Sequence, residues 1–348
     1  MIDFRLQRYA VLALASAALF GAATPALKPL AGSLHPVLLA GLLYLGSFLG
    51  LAALRLARGG ASSEAPLARS HLGALAGAVL AGGVLAPVLL VWGLSGLAAS
   101  AASLLLAAEA VLTALLAALF FREAVAPRIW LAAAAILGAA AFIAWSPGLA
   151  LPFSPYALAV LGACLLWALD NNLTRRISLA DPFAIAMWKG LAAGAVNTAI
   201  GFALAPAVPQ GAWLVALGVG ALGYGASLVL YVLAMRHLGA ARTAAHFGTA
   251  PFFGAALAVA LLGDPLTAPL IGGFLLTAMG TWLALTERHH HAHHHDPLEH
   301  EHRHFHDAHH AHEHRGGEGP EPHTHVHRHE PVRHSHPHFP DLHHGHRH

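Results

Sequence analysis

The chain has 348 residues, 57% of them hydrophobic and only 10% charged, with a formal net charge of +2. Soluble domains carry about 25% charged residues, so a soluble globular protein is excluded and no nucleic-acid partner is expected. The single cysteine, Cys164, excludes a disulfide framework and a thiolate metal cage. Inside an apolar stretch it reads as a small packing residue.

Residues 1–8 form a short N-terminal segment bearing Arg5 and Arg8. Ten apolar stretches of bilayer-spanning length follow, roughly at 9–31, 35–57, 70–93, 97–121, 127–146, 154–174, 182–204, 211–235, 240–262 and 266–286. Turn chemistry or charge separates them at Gly59-Gly60, Arg122-Glu123, Ser146-Pro147-Gly148, Asp181-Pro182, Pro206 to Gly211 and Gly263-Asp264-Pro265. The first stretch is too long for the apolar core of a signal peptide. The cations alternate. Arg55, Arg58, Arg69, Arg122, Arg128, Arg175, Arg176, Arg236, Arg242 and Arg288 fall around even-numbered loops or after the last span, while the odd loops hold no Lys or Arg. The positive-inside rule then places both termini in the cytoplasm of a multi-pass inner-membrane protein.

The two halves repeat. Glu109-Ala110-Val111 to Phe121-Arg122-Glu123 aligns without a gap on Ala250-Pro251-Phe252 to Leu262-Gly263-Asp264, and Phe20-Gly21 leading to Lys28 matches Trp167-Ala168 leading to Arg175. Five spans per half make the second half enter the membrane from the opposite face. Such inverted repeats are typical of secondary transporters.

The stretch from Glu109 through Thr113-Ala114-Leu115 to Glu123, echoed by Ala250-Pro251 to Gly263-Asp264, resembles the EamA domains of the drug/metabolite transporter superfamily. The motif departs from the family's in two places: Ala110 stands where Pro commonly follows the Glu, and Arg122 where Gly usually precedes the acidic corner. The resemblance implies an all-α membrane protein of ten helices in two inverted five-helix repeats, 9–146 and 154–286, around a central cavity. It also implies export of a small organic solute, with the bilayer and that solute as partners and no enzymatic activity.

Ionisable groups inside a membrane are costly and normally face a cavity or a partner. Lys28 lies in the first span, Glu109 in the fourth, Asp170 in the sixth and Lys189 in the seventh. Asp170, Asn171 and Asn172 occupy consecutive positions and cannot share one direction, whereas Asp170 and Thr174 share a face. Asn197 lies two turns beyond Lys189. Lys28, Glu109, Asp170, Asn171, Lys189, Asn197 and His246 are therefore the expected transport-path residues, with Glu109 or Asp170 as a proton-coupling site. The competing reading of Asp170 and Lys189 is a buried ion pair that fixes two helices. Pro25 and Pro29 around Lys28 suggest either an interrupted helix or a simple kink. Trp92, Trp167, Trp188 and Trp213 lie near span ends or cavity turns, and interfacial anchoring explains most of them; Gly46/Gly50, Gly73/Gly77 and Gly190/Gly194 read as sites of close helix approach.

Beyond the last span the composition changes. Of 29 histidines only His35, His71, His237 and His246 precede residue 289. The tail, 289–348, has too few apolar residues to offset its ordering entropy and is expected to be disordered. His289, His290, His291, His293, His294, His295, His300, His302, His304, His306, His323, His325, His327 and His329 are candidate ligands for Zn, Ni, Co or Cu. No cofactor is required. Two alternatives to organic-solute export remain open from sequence: divalent-metal (Ni/Co/Zn) efflux, and a non-transporting anchor for a metal-storing or metal-sensing tail.

Overall fold

The computed structural model describes residues 4–57, 59, 65–121, 127–145, 153–178, 180–205, 211–238, 243, 246–286, 290–294, 298–304, 323–329 and 333–337. In a bilayer every backbone polar group must be satisfied internally, which makes helices of the apolar runs. The spans are α1 (Phe4–Ala31), α2 (Pro36–Ala57), α3 (Arg69–Gly96), α4 (Ala99–Leu105 resuming as Ala108–Phe121), α5 (Pro127–Ala144), α6 (Pro155–Arg175), α7 (Pro182–Leu204), α8 (Ala212–Met235), α9 (Ala250–Leu262) and α10 (Ala268–Leu285). Eight are long and apolar enough to cross a membrane by themselves, and α9 and α10 carry shorter apolar segments.

Local chemistry fixes the starts. Proline opens α2, α5, α6 and α7, where its missing N–H costs nothing and its φ suits the helix. Asp181 caps α7 by accepting from the Phe183 amide at 2.8 Å. Gly263, at φ 70°, ends α9 in the left-handed region that a side chain disfavours. The next residue, Asp264, accepts from the Ser100 amide at 2.7 Å, so the acidic corner of the second repeat holds the start of α4 in the first. The matching Glu123 lies outside the described residues.

The packing follows the inverted repeat. α2 lies along α7, and α5 along α10. The contact of α3 with α6 is mirrored by that of α8 with α1, and the contact of α4 with α6 by that of α9 with α1. The glycines permit these approaches: a methyl on Gly46 would collide with the Leu217 backbone, and one on Gly194 with Leu45. The main apolar cluster, with Leu27, Leu38, Leu90, Leu94, Leu105 and Val160 almost fully buried, fills the end of the bundle near the 31–36 and 97–99 loops. Cys164 packs within it.

Two departures from regular helix recur at matching places. α3 widens to a π-helix over Val79–Leu85 and α8 over Gly220–Ala226, and Gly82 corresponds to Gly223. α4 breaks at 106–107, while in α9 the helical turn at His246–Phe247 gives way to a turn at Gly248–Thr249 before Ala250 resumes the helix. By contrast, α1 runs unbroken through Pro25 and Pro29, so of the two readings of that proline pair the interrupted helix does not hold. Trp92, Trp145 and Trp213 are exposed near one end of the bundle, and Trp130, Trp188 and Trp282 toward the other. They form two belts of the kind that sits at membrane interfaces. Trp167 does not join them; it is buried.

The tail carries four short strands, β1 (His290–His294), β2 (Leu298–His304), β3 (His323–His329) and β4 (Arg333–Pro337), paired antiparallel as β1–β4 and β2–β3. Disorder was expected from the lack of an apolar face. Antiparallel pairing satisfies backbone groups across the ribbon without requiring such a face.

Candidate functional site

Between α1, α2, α4, α6, α7 and α8 lies a cavity of ≈ 80 Å³ lined by Glu109, Asp170, Asn171, Thr174 and Lys189 among aromatic side chains. A second lobe of ≈ 30 Å³ adjoins it at the breaks of α4 and α9, lined by Leu106, Ala107, Glu109, Phe247, Gly248 and Pro251. Phe20, Glu109, Asn171, Tyr231 and Phe247 line both lobes. The sequence therefore interrupts two helices, at mirrored positions, where the cavity lies. Discontinuous helices of this kind line substrate sites in transporters.

Asp170, Asn171 and Asn172 leave α6 in three directions, as consecutive helix positions require. Asp170 meets Lys189 of α7, whose Nζ lies 2.6 Å from Oδ1 and 2.7 Å from Oδ2, and Thr174 one turn on donates to Oδ1 at 2.9 Å. Both charged side chains are almost completely buried. Each ion is costly there alone, and removing one partner would strand the other. Asn171 donates to Glu109 Oε1 at 2.9 Å and to Thr113 Oγ1 at 3.3 Å. Asn172 donates to the Thr113 carbonyl at 3.1 Å and to the Ala168 carbonyl at 2.8 Å.

The π-turn of α3 supports this cluster. A widened turn leaves carbonyls without their usual partners, and here side chains supply them. Tyr44 Oη donates to the Gly82 carbonyl at 2.6 Å and Trp167 Nε1 to the same oxygen at 2.9 Å. Asn197 Nδ2 donates to the Val84 carbonyl at 3.0 Å. Gly82 has no room for a side chain, because a Cβ would fall on the Asp170 carboxylate. Helix widening, glycine and ion pair thus form one unit.

Glu109, Asp170, Asn171 and Lys189 come together as expected, and the ion-pair reading of Asp170 and Lys189 holds within the cavity wall. Three expected path residues lie elsewhere. Asn197 serves the π-turn. Lys28 reaches the end of α3, donating to the Leu94 and Leu97 carbonyls at 2.7 and 2.6 Å; cations near a helix C-terminus are favourable. His246 precedes the break of α9 and its carbonyl accepts from Thr249 Oγ1 at 2.7 Å, while its side chain is not among the lining of either lobe. Tyr44, Gly82, Trp167, Tyr224 and Tyr231 were not singled out as site residues from sequence. The glycines at matching π-turn positions and Gly248 with Pro251 were the available signal.

The cavity lies toward the end of the bundle that carries Arg175 and the Arg55–Asp181 ion pair at 3.5 Å. Among the described residues no group of three or more His, Cys, Asp or Glu could hold a metal ion. In the tail, the strand register sets His300 opposite His327, His302 opposite His325, His304 opposite His323 and His293 opposite His334. His290, His291, His294 and His329 also lie on these strands, whereas His289, His295 and His306 lie outside the described residues.

The model of the EamA-like transporter family matches residues 7–145 and 154–286. An uncharacterized transporter of Methanothermobacter thermautotrophicus is 30% identical over 210 residues, which cover 58% of this chain and 61% of that relative. The chain thus spans about 61% of the length of the curated relative it matches. A solved crystal structure has a TM-score of 0.59 at 19% identity, covering 80% of this chain and 95% of its own, a likeness of fold.

Proposed function

The chain belongs to the EamA-like transporter family and is a multi-pass membrane protein, and on that premise we propose that it exports a small organic solute by alternating access at the cavity around Glu109. The observation that carries this reading is the convergence of both helix breaks and an intramembrane carboxylate on one cavity. A non-transporting anchor has no need of polar groups gathered around a space. Metal efflux through the spans lacks a ligand cage among the described residues.

Orientation follows from the positive-inside rule, which assigns the arginine-rich end and both termini to the cytoplasm. The cavity then faces the cytoplasmic side of the inner membrane, and the apolar cluster around Leu94 and Val160 closes the other. Solute loads from the cytoplasm. Glu109 exchanges its hydrogen bond with Asn171 for a proton or for solute, which couples the two. The tail chelates Zn, Ni, Co or Cu and adjusts transport in response to metal or mild acid.

The test is joint profiling of metabolites and metals in cells lacking the protein, overproducing it, or overproducing Glu109→Gln. Overproduction should deplete one or more organic solutes and leave cellular metals unchanged. Glu109→Gln, present in the membrane at the wild-type level, should reduce that export by about tenfold or more, the scale of a lost hydrogen bond to a charged group. Depletion of metals alone would replace this reading with metal efflux.

A further inference from the structure

We propose that the cavity selects solutes bearing an organic cation, a protonated amine above all, with Glu109 as the counter-charge and the rings of Phe20, Tyr231 and Phe247 as walls; this rests on the transport reading above. The charges in the cavity are not equivalent. Lys189 is occupied by both oxygens of Asp170, and Thr174 completes that group. An anionic solute would have to break this buried pair to reach the ammonium. Glu109, in contrast, takes its side-chain hydrogen bond from the neutral amide of Asn171 and has no cation partner among the described residues. It stands in the first turn of the resumed α4.

The walls point the same way. Phe20 lies 5.3 Å from Phe247 and 5.8 Å from both Trp167 and Tyr224, and Tyr231 lies 5.0 Å from Phe247, between ring centroids. Aromatic faces are negative and attract cations, most strongly where water is excluded. They repel anions by the same field. Two lobes of ≈ 80 and ≈ 30 Å³ seat a headgroup and a short apolar body. Phe20, Tyr231, Phe247 and Glu109 all line both lobes, so carboxylate and rings face the same occupant.

The probes are benzylammonium, benzyl alcohol and benzoate, one ring with three charges, titrated at pH 7 against the purified full-length protein in lipid nanodiscs. Benzylammonium should bind about tenfold tighter than benzyl alcohol, a difference of about 1.4 kcal/mol, and benzoate weakest. Glu109→Gln should bring the amine and the alcohol within about twofold of each other while retaining the wild-type elution profile. Phe247→Leu, which keeps the carboxylate, should weaken the amine more than the alcohol. Tighter binding of benzoate, a preference unchanged in Glu109→Gln, or no amine binding at millimolar concentration would overturn the proposal. Such a result beside organic-solute depletion in cells removes the cation class alone. Without any such depletion, the transport reading falls as well.

Discussion

Where α6 carries Asp170, Asn171 and Asn172, the matching turn of α1 carries Ala23, Thr24 and Pro25, and where α4 carries Glu109, α9 carries Ala250. The backbones nevertheless agree at the π-turns of α3 and α8 and near the helix breaks, although α9 ends in a further π-helix, Ala258–Leu262, where α4 stays α-helical. Gly82 packs on Asp170 in one half as Gly223 packs on Ala23 in the other. Symmetry therefore belongs to the scaffold, which must present similar geometry to both sides of the membrane. The chemistry is confined to one arrangement of α4, α6 and α7. Even the π-turns differ in support: side chains from α2, α6 and α7 donate to the carbonyls of α3, whereas the turn in α8 lies against Ser47 and Ala23.

Giving one half the residues of the other is the strongest test of that division. Lys189→Leu, the residue type of the matching Leu42-Leu43 stretch of α2, leaves Asp170 buried without its cation. The expected cost is about 3–5 kcal/mol, read as loss of folded protein from the membrane. Adding Asp170→Ala, as at Ala23, removes the stranded charge and should restore most of the folded protein, since replacing both ions can be neutral or stabilising. Solute export should stay lost in the double variant if the pair shapes the cavity. Restored export would make the pair structural only.

Much of this was legible in the sequence. Spans follow from apolar length, and the repeat from aligned residues, because both are properties of contiguous sequence. The pairing of Asp170 with Lys189 was open as one of two readings, and the structure shows that pairing and lining coexist. The breaks at 106–107 and 248–249 and the π-turns were not legible. Leu106-Ala107 is no turn signal, and the glycines at the π-turns and Gly248 with Pro251 mark the places without specifying the geometry. Trp167 is grouped with tryptophans of which most read as anchors, because interfacial tryptophans dominate membrane proteins. Its actual partner, the Gly82 carbonyl, is freed only by the π-turn. Lys28 is placed on the path by its charge inside a span, although the carbonyls it binds are on α3.

A gentler comparison sets Gly82→Ala against Gly223→Ala. At Gly82 the added methyl meets the Asp170 carboxylate and must displace the ion pair; at Gly223 it presses on the Ala23 methyl and touches the Leu19 carbonyl at ordinary contact distance. Overpacking costs about 1–3 kcal/mol, and the Gly82 variant should lie at the upper end. Thermal unfolding in detergent should rank Gly82→Ala below Gly223→Ala, with export lost in the former. Equal destabilisation would mean that the π-turns, rather than the ion pair, set the demand for glycine.

The smallest effect on the membrane part is expected from removing the tail. Residues 289–348 follow the last span, and their strands pair with one another, so a chain ending at Arg288 should insert and unfold as the full-length protein does. Binding of Zn²⁺ or Ni²⁺ should vanish with the tail, because the remaining histidines, His35, His71, His237 and His246, are scattered along the spans. With its histidines neutral the tail holds five Arg against nine acidic groups. Below about pH 6.5 its imidazoles take up protons and the balance turns strongly positive. If the tail adjusts transport, the truncated protein should export its organic solute at the wild-type rate at neutral pH but lose the response to added metal or mild acid. If the tail instead collects cargo for metal efflux, truncation should lower metal tolerance, which the full-length chain should raise. Identical metal tolerance together with identical metal and acid responses in the two forms would leave the tail without a part in transport.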